Sequence, residues 1–136
     1  YPKRRGLTRV KEFVDNGINV AFGQDSIVDL WYPAGKGNLM NILDNGIHAT
    51  QLMREEDFAR NFDLITYNGA KLMQVEDIYG LEEGKPANFI VLDAPNAFEA
   101  QRRRVECLAS VRNGDYLFMK TPRTYDTELD IARKTK

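Results

Sequence analysis

The residue of this chain best placed to do chemistry is Asp25. It stands two positions beyond the short apolar run Ile18-Asn19-Val20-Ala21-Phe22-Gly23 and opens an irregular loop. In barrels and open parallel sheets, catalytic side chains are mounted where strands end and loops begin, because the rigid core fixes their geometry there. Aspartate is also a good loop-initiating cap, so position alone leaves both roles open. Asp29 is the second acid of the loop, and two carboxylates four residues apart could divide acid and base duties. A structural loop role suits Asp29 better. Trp31 and Tyr32 follow and offer a flat wall for a planar heterocycle, or an anchor holding the loop to the core. His48 is the only histidine and has no Cys, Asp or Glu beside it at a metal-ligand spacing. A zinc site needs three or four converging ligands, so His48 is expected to be a packed or hydrogen-bonded helix residue. The single cysteine, Cys107, has no neighbouring histidine or basic cluster to activate it as a nucleophile.

The elements that must position these side chains follow from periodicity. Leu7, Val10, Phe13 and Val14 recur at helical spacing, and Asn16-Gly17 supplies a C-terminal stop. Residues 18–23 carry the β-branched and aromatic content of a buried parallel strand. The loop of residues 24–37 mixes acids, aromatics and turn formers without a period, and Asn38 can cap a helix with Leu39, Ile42, Leu43, Ile47 and Met53 near one face. Gly46 is a weak point inside it. Helical stretches are expected over residues 55–62 and 63–73, ending near Gly80. A turn-rich junction at 81–86 then leads to a strand over residues 87–93. Residues 105–112 and 115–119 form a hairpin pattern around Asn113-Gly114, a pair suited to positive φ. The order is α/β up to about residue 85 and mostly β beyond it. The stretch 121–136 is polar and expected to be partly disordered.

Bulk properties narrow the function. Nineteen basic and twenty acidic side chains give a net charge of −1, so no overall field draws in nucleic acid or an anionic membrane. The runs Lys3-Arg4-Arg5 and Arg102-Arg103-Arg104 are short enough to be solvated or locally paired. No apolar stretch approaches the roughly 20 residues of a membrane helix, and no Walker or dinucleotide glycine pattern is present. One cysteine cannot make an internal disulfide, which makes a reducing compartment, the cytoplasm, the expectation. The sequence starts at Tyr1 without methionine, and a fragment is the expectation.

Two stretches carry a resemblance. The run from Gly23-Gln24-Asp25-Ser26 through Asp29-Leu30-Trp31-Tyr32-Pro33 to Gly35-Lys36-Gly37-Asn38 resembles the final barrel strand and loop of bacterial cytosine deaminases. Thr66-Tyr67-Asn68-Gly69-Ala70 and Gly80-Leu81-Glu82-Glu83-Gly84-Lys85-Pro86-Ala87-Asn88, running on into residues 89–93, resemble the exit of an amidohydrolase from barrel to β-sandwich. The likeness implies an α/β fold, with residues 1–85 the C-terminal segment of a (β/α)8 TIM-type barrel and residues 86–136 part of a small β-sandwich tail. It implies a metal-dependent hydrolytic deaminase of cytosine or a related nucleobase. Asp25 would be the strand-eight aspartate, both catalytic and a ligand of one divalent ion, iron or zinc. Trp31 and Ser26 would contact substrate. The further metal ligands and the proton-shuttling glutamate of such enzymes have no match here, so this chain alone is expected to hold metal weakly and to be inactive. A homo-oligomer is expected, with no nucleic-acid or membrane partner. Gln24, Ser26 and Leu30 depart from the pattern: some relatives carry histidine at the first position, some a second acid at the next, and proline is common at the third. Those changes keep open a relative acting on triazine-type ring amines, and a non-catalytic fragment or interaction domain is the reading from a different class.

Overall fold

The structure is a computed structural model and describes residues 6–122. The basic run at 3–5 and most of the polar stretch 121–136 lie outside the described residues. Helix α1, Val10–Asp15, turns its one buried residue, Val10, into the core and ends on Asn16, after which Gly17 takes φ 72°. Its exposed face is laced by Arg9 with Glu12 and by Lys11 with Asp15, pairs that solvent screens and that add little to stability. Helix α2, Leu39–Thr50, is capped as expected: Asn38 Oδ1 accepts the Met40 N–H at 2.9 Å. The buried stripe is Met40, Leu43 and Ile47, not Leu39, which stays exposed, nor Met53, which lies beyond the helix end at Gln51.

Residues 18–23 form neither helix nor strand, which corrects the expected buried parallel strand. A parallel strand exists only through a ladder to neighbours at its edges, and the partners found here are of another kind. The Phe22 N–H donates to the Leu64 carbonyl at 2.6 Å, Asn68 Nδ2 donates to the Val20 carbonyl at 2.7 Å, and Asn19 Nδ2 donates to the Asn68 carbonyl at 3.0 Å. Val20, Ala21 and Phe22 are half-buried and Ile18 is exposed.

The expected helical stretches after residue 54 are present in shorter pieces: α3, Glu55–Phe58, a 3-10 turn at Asn61–Ile65, α4, Tyr67–Leu72, and a 3-10 turn at Glu76–Ile78. Lys85 stitches the following junction by donating to the carbonyls of Glu76 and Tyr79. Beyond it β1, Phe89–Leu92, β2, Cys107–Arg112, and β3, Asp115–Met119, make an antiparallel sheet in the order β1-β2-β3. Phe89 lies opposite Val111, and Arg112 opposite Asp115. Asn113 and Gly114 both adopt positive φ, 51° and 88°, in the two-residue connection that the sequence marked.

Helix α5, Ala97–Arg103, interrupts the β region and has no counterpart in the sequence reading. Its signal was local: Asn96 caps the helix by accepting the Glu99 N–H at 2.9 Å, and Glu99 pairs with Arg102 at 2.7 Å. Two clusters make the core. Val10, Leu43, Ile47, Leu52 and Leu64 form one, and Met40, Ala100 and Val105 the other. Phe62 and Ile65 pack against both, joining α5 to the helical half. Arg104 reaches Asp44 of α2 at 2.8 Å across the same junction, so the second basic run is locally paired.

Candidate active site

Phe22 places the loop. Its ring lies against Gly46 of α2, where an added Cβ would sit 2.8 Å from Phe22 Cδ2 and closer still to Cε2. The glycine that weakens the helix on paper is therefore the notch that receives the residue three positions before Asp25. From Gln24 to Asn38 only Ser26 and Gly35 are buried, and they meet each other. A Cβ on Gly35 would lie 3.0 Å from the Ser26 carbonyl carbon and nearer to its oxygen. Gln24 Nε2 donates to that same carbonyl at 2.6 Å. Two strands of chain nine residues apart thus close the loop at one backbone point.

At the tip, Asp29 Oδ1 accepts the Trp31 N–H at 3.0 Å and the Tyr32 N–H at 2.7 Å. Hydrogen bonding by the Tyr32 backbone, then by the Ser26 side chain and the Trp31 backbone, holds the Asp29 carboxyl below the usual carboxylate range, outweighing desolvation. Asp29 is a loop cap, as its position favoured. Val28 beside it takes φ 52°, which is costly for a β-branched residue and is sustained by the constraints on either side.

The three site residues read from the sequence lie in this one loop in different settings. Asp25 is exposed and makes no hydrogen bond or ion pair to another described residue. Ser26 is buried at the loop base, and Trp31 is 63% exposed at the tip. A cavity of about 570 Å³ is bordered instead by Asp15, Arg54, Asp57, Arg60, Asp63 and Lys71, and by no residue of the 24–38 loop. Two of its carboxylates are already engaged: Asp57 is held low by Arg54, and Asp15 pairs with Lys11. His48 is exposed in the last turn of α2, not packed. Cys107 is half-buried in β2, as expected.

Among the described residues no group of three or more His, Cys, Asp or Glu could hold a metal ion. One exposed carboxylate falls short of the three or four protein ligands such a site requires. Sequence reasoning missed Gln24 and Gly35 as parts of this architecture. Gly35 and Gly37 both precede the Asn38 cap of α2, and only the spatial contact with Ser26 distinguishes Gly35.

The described residues make a mixed helix-and-strand, α/β arrangement that carries an exposed loop carboxylate. A sequence profile of the Amidohydrolase family matches residues 1–118, and the chain belongs to that family. Metal dependence is a property of the superfamily. The chain is similar to 5-methylcytosine deaminase from Klebsiella pneumoniae. With phosphonocytosine bound, that structure is 45% identical over 93% of this chain and 31% of its own, with a TM-score of 0.85. With 5-fluorocytosine bound, the figures are 44%, 95%, 31% and 0.87. N-isopropylammelide isopropyl amidohydrolase of Pseudomonas sp. strain ADP is 29% identical over 105 residues, 77% of this chain and 26% of that protein. The chain therefore spans less than a third of the relatives it matches. No described helix is long and apolar enough to cross a membrane.

Proposed function

We propose that this chain supplies one wall and one carboxylate of the active site of a metal-dependent hydrolase that deaminates cytosine or a 5-substituted cytosine, within a longer polypeptide. The observation that carries the reading is Asp25, an exposed carboxylate at the head of the loop with no hydrogen bond or ion pair to another described residue, whereas the loop's other acid, Asp29, is spent on capping the turn. The likeness to a 5-methylcytosine deaminase supports the substrate class. In the reaction the oxygen of water bonds to the ring carbon bearing the amine, the C–N bond breaks, and ammonia leaves. Asp25 would accept the proton that the attacking water gives up. The divalent ion, iron or zinc, would lower the pKa of that water. This chain would offer it Asp25 alone, so the remaining ligands belong to other parts of the protein.

Trp31, with its face open at the loop tip, would lie along the planar ring, and Ser26 would set the space beside it. A neutral, small side chain at 26, where some relatives carry a second acid, would leave room for a substituent on the pyrimidine. The rest of the proposal is a cytoplasmic homo-oligomer, with a barrel formed by the α/β part and a sandwich that includes β1 to β3. Support for further covering protein comes from the sheet, whose Ile90, Tyr116, Leu117 and Met119 all stand in solvent.

A second reading, hydrolysis of a ring amine on a triazine, is favoured by the 29% identical relative. Ammonia or amine release by the full-length protein from cytosine, 5-methylcytosine and N-isopropylammelide separates the readings. Faster turnover of the pyrimidines supports the proposal, faster turnover of the triazine supports the second reading, and no release from any of the three points to a non-catalytic chain.

A further inference from the structure

We propose that Asn68 is a positioning residue: its side chain fixes the run that leads into Asp25, and so the place at which the chain presents that carboxylate. The inference rests on the role just proposed for Asp25. Asp25 makes no hydrogen bond or ion pair to another described residue, so the backbone leading into it helps decide where it stands. Among the described residues, the hydrogen bonds that tie residues 19–22 to the rest of the fold all go to one short stretch. Asn68 Nδ2 donates to the Val20 carbonyl at 2.7 Å, the Asn68 carbonyl accepts from Asn19 Nδ2 at 3.0 Å, and the Phe22 N–H donates to the Leu64 carbonyl at 2.6 Å. Asn68 thus both gives and takes a hydrogen bond, across separations of 48 and 49 residues.

Apolar contact leaves the direction of the run open. Val20 and Phe22 pack against the cluster of Val10, Leu43, Ile47, Leu52 and Leu64, and such contact is non-directional. The Phe22 ring at Gly46 is joined to its backbone by rotatable bonds, so it fixes where the ring sits but not the direction in which the chain leaves for Asp25. Hydrogen bonds of set length and angle at residues 20 and 22 supply that direction. Helix formation does not account for Asn68 either. Asparagine is a poor helix residue because its side chain competes for backbone groups, yet it stands in the first turn of α4 with that side chain turned to Val20.

In the full-length protein with its metal, Asn68→Asp keeps the shape of the side chain and replaces the donor by a carboxylate oxygen. It is expected to lower kcat per bound metal for 5-methylcytosine about tenfold to a hundredfold, the effect of displacing a reacting group by up to roughly 1 Å, with KM within about twofold of wild type. Asn68→His restores an N–H donor, and the cavity that Asn68 borders leaves room for the imidazole, so most of kcat should return. Two further readouts separate positioning from a general loss of structure. In an Asp25→Asn background, where the carboxylate is already gone, Asn68→Asp should lower kcat no further, whereas damage to the fold at large would lower both backgrounds alike. Deuterium uptake at residues 19–23 should quicken about tenfold in Asn68→Asp and return towards wild type in Asn68→His, with uptake in β2 and β3 unchanged. Wild-type kcat in Asn68→Asp, an equal fold loss in both backgrounds, or no difference between Asn68→Asp and Asn68→His would each overturn the inference. If Asn68→Asp does not fold, Asn19→Ala, which removes the second bond of the pair, decides by the same readouts with an expected loss of about three- to tenfold. If the wild-type protein deaminates neither cytosine nor 5-methylcytosine, the proposed function fails, and the deuterium uptake alone decides whether Asn68 holds the run.

Discussion

Replacing Gly46 by alanine sets two well-characterised effects against each other. In the middle of a helix, alanine is favoured over glycine by about 0.8–1.0 kcal/mol, so Gly46→Ala should stabilise α2 if nothing touches that face. Something does: the new Cβ would lie 2.8 Å from Phe22 Cδ2, far inside van der Waals contact, with Cε2 closer still and Cζ at 3.0 Å. Overpacking of this kind costs about 1–3 kcal/mol. The steric term should win, leaving a net loss on the order of 1 kcal/mol. In a Phe22→Ala background the obstacle is gone and the same substitution should become stabilising by about 1 kcal/mol, a coupling of roughly 2 kcal/mol between the sites. Urea unfolding of the wild type, both single variants and the double variant measures it. A Gly46→Ala protein more stable than wild type, or a coupling near zero, would show that Phe22 does not seat on α2 and that the loop's anchor is wrongly assigned.

Asn96→Ala removes the cap of α5 and should cost about 1 kcal/mol by the same unfolding assay, whereas Asn96→Asp should be nearly neutral. Asp29 titrates below the ordinary carboxylate range in the folded protein. Its stabilising contribution is therefore fully present above the unfolded value near 3.9 and is lost as pH falls through the lower folded value. A carbon-detected NMR titration should place the Asp29 midpoint below that of a model aspartate, and a midpoint at or above it would contradict the capping geometry.

Local chemistry was the legible part of this fold. The Asn38 cap, the turn at Asn16-Gly17 and the Asn113-Gly114 hairpin each depend on a few adjacent residues, and each formed where the residues placed it. Helix α5 was equally local and was overlooked because Asn96 and Glu99 were not taken together as a cap with its third residue. Residues 18–23 failed for a different reason. Their composition suits a buried strand, but strand formation is decided by neighbours distant in sequence, and the partners available are the Leu64 carbonyl and the Asn68 side chain. The same distinction runs through the site. Asp25 and Trp31 could be singled out by type and position, while the Ser26–Gly35 contact and the notch at Gly46 exist only in three dimensions.

The central claim is that Asp25 handles a proton during hydrolysis, and Asp25→Asn tests it most directly. Asparagine preserves shape and serves about as well as aspartate in capping a loop or helix, but it cannot accept a proton from water. Ammonia release from 5-methylcytosine by the full-length Asp25→Asn protein, measured with metal content and unfolding temperature, is expected to fall by about 10²–10⁴-fold with the fold intact. Near-wild-type release with full metal occupancy would make Asp25 a loop cap and remove it from the reaction.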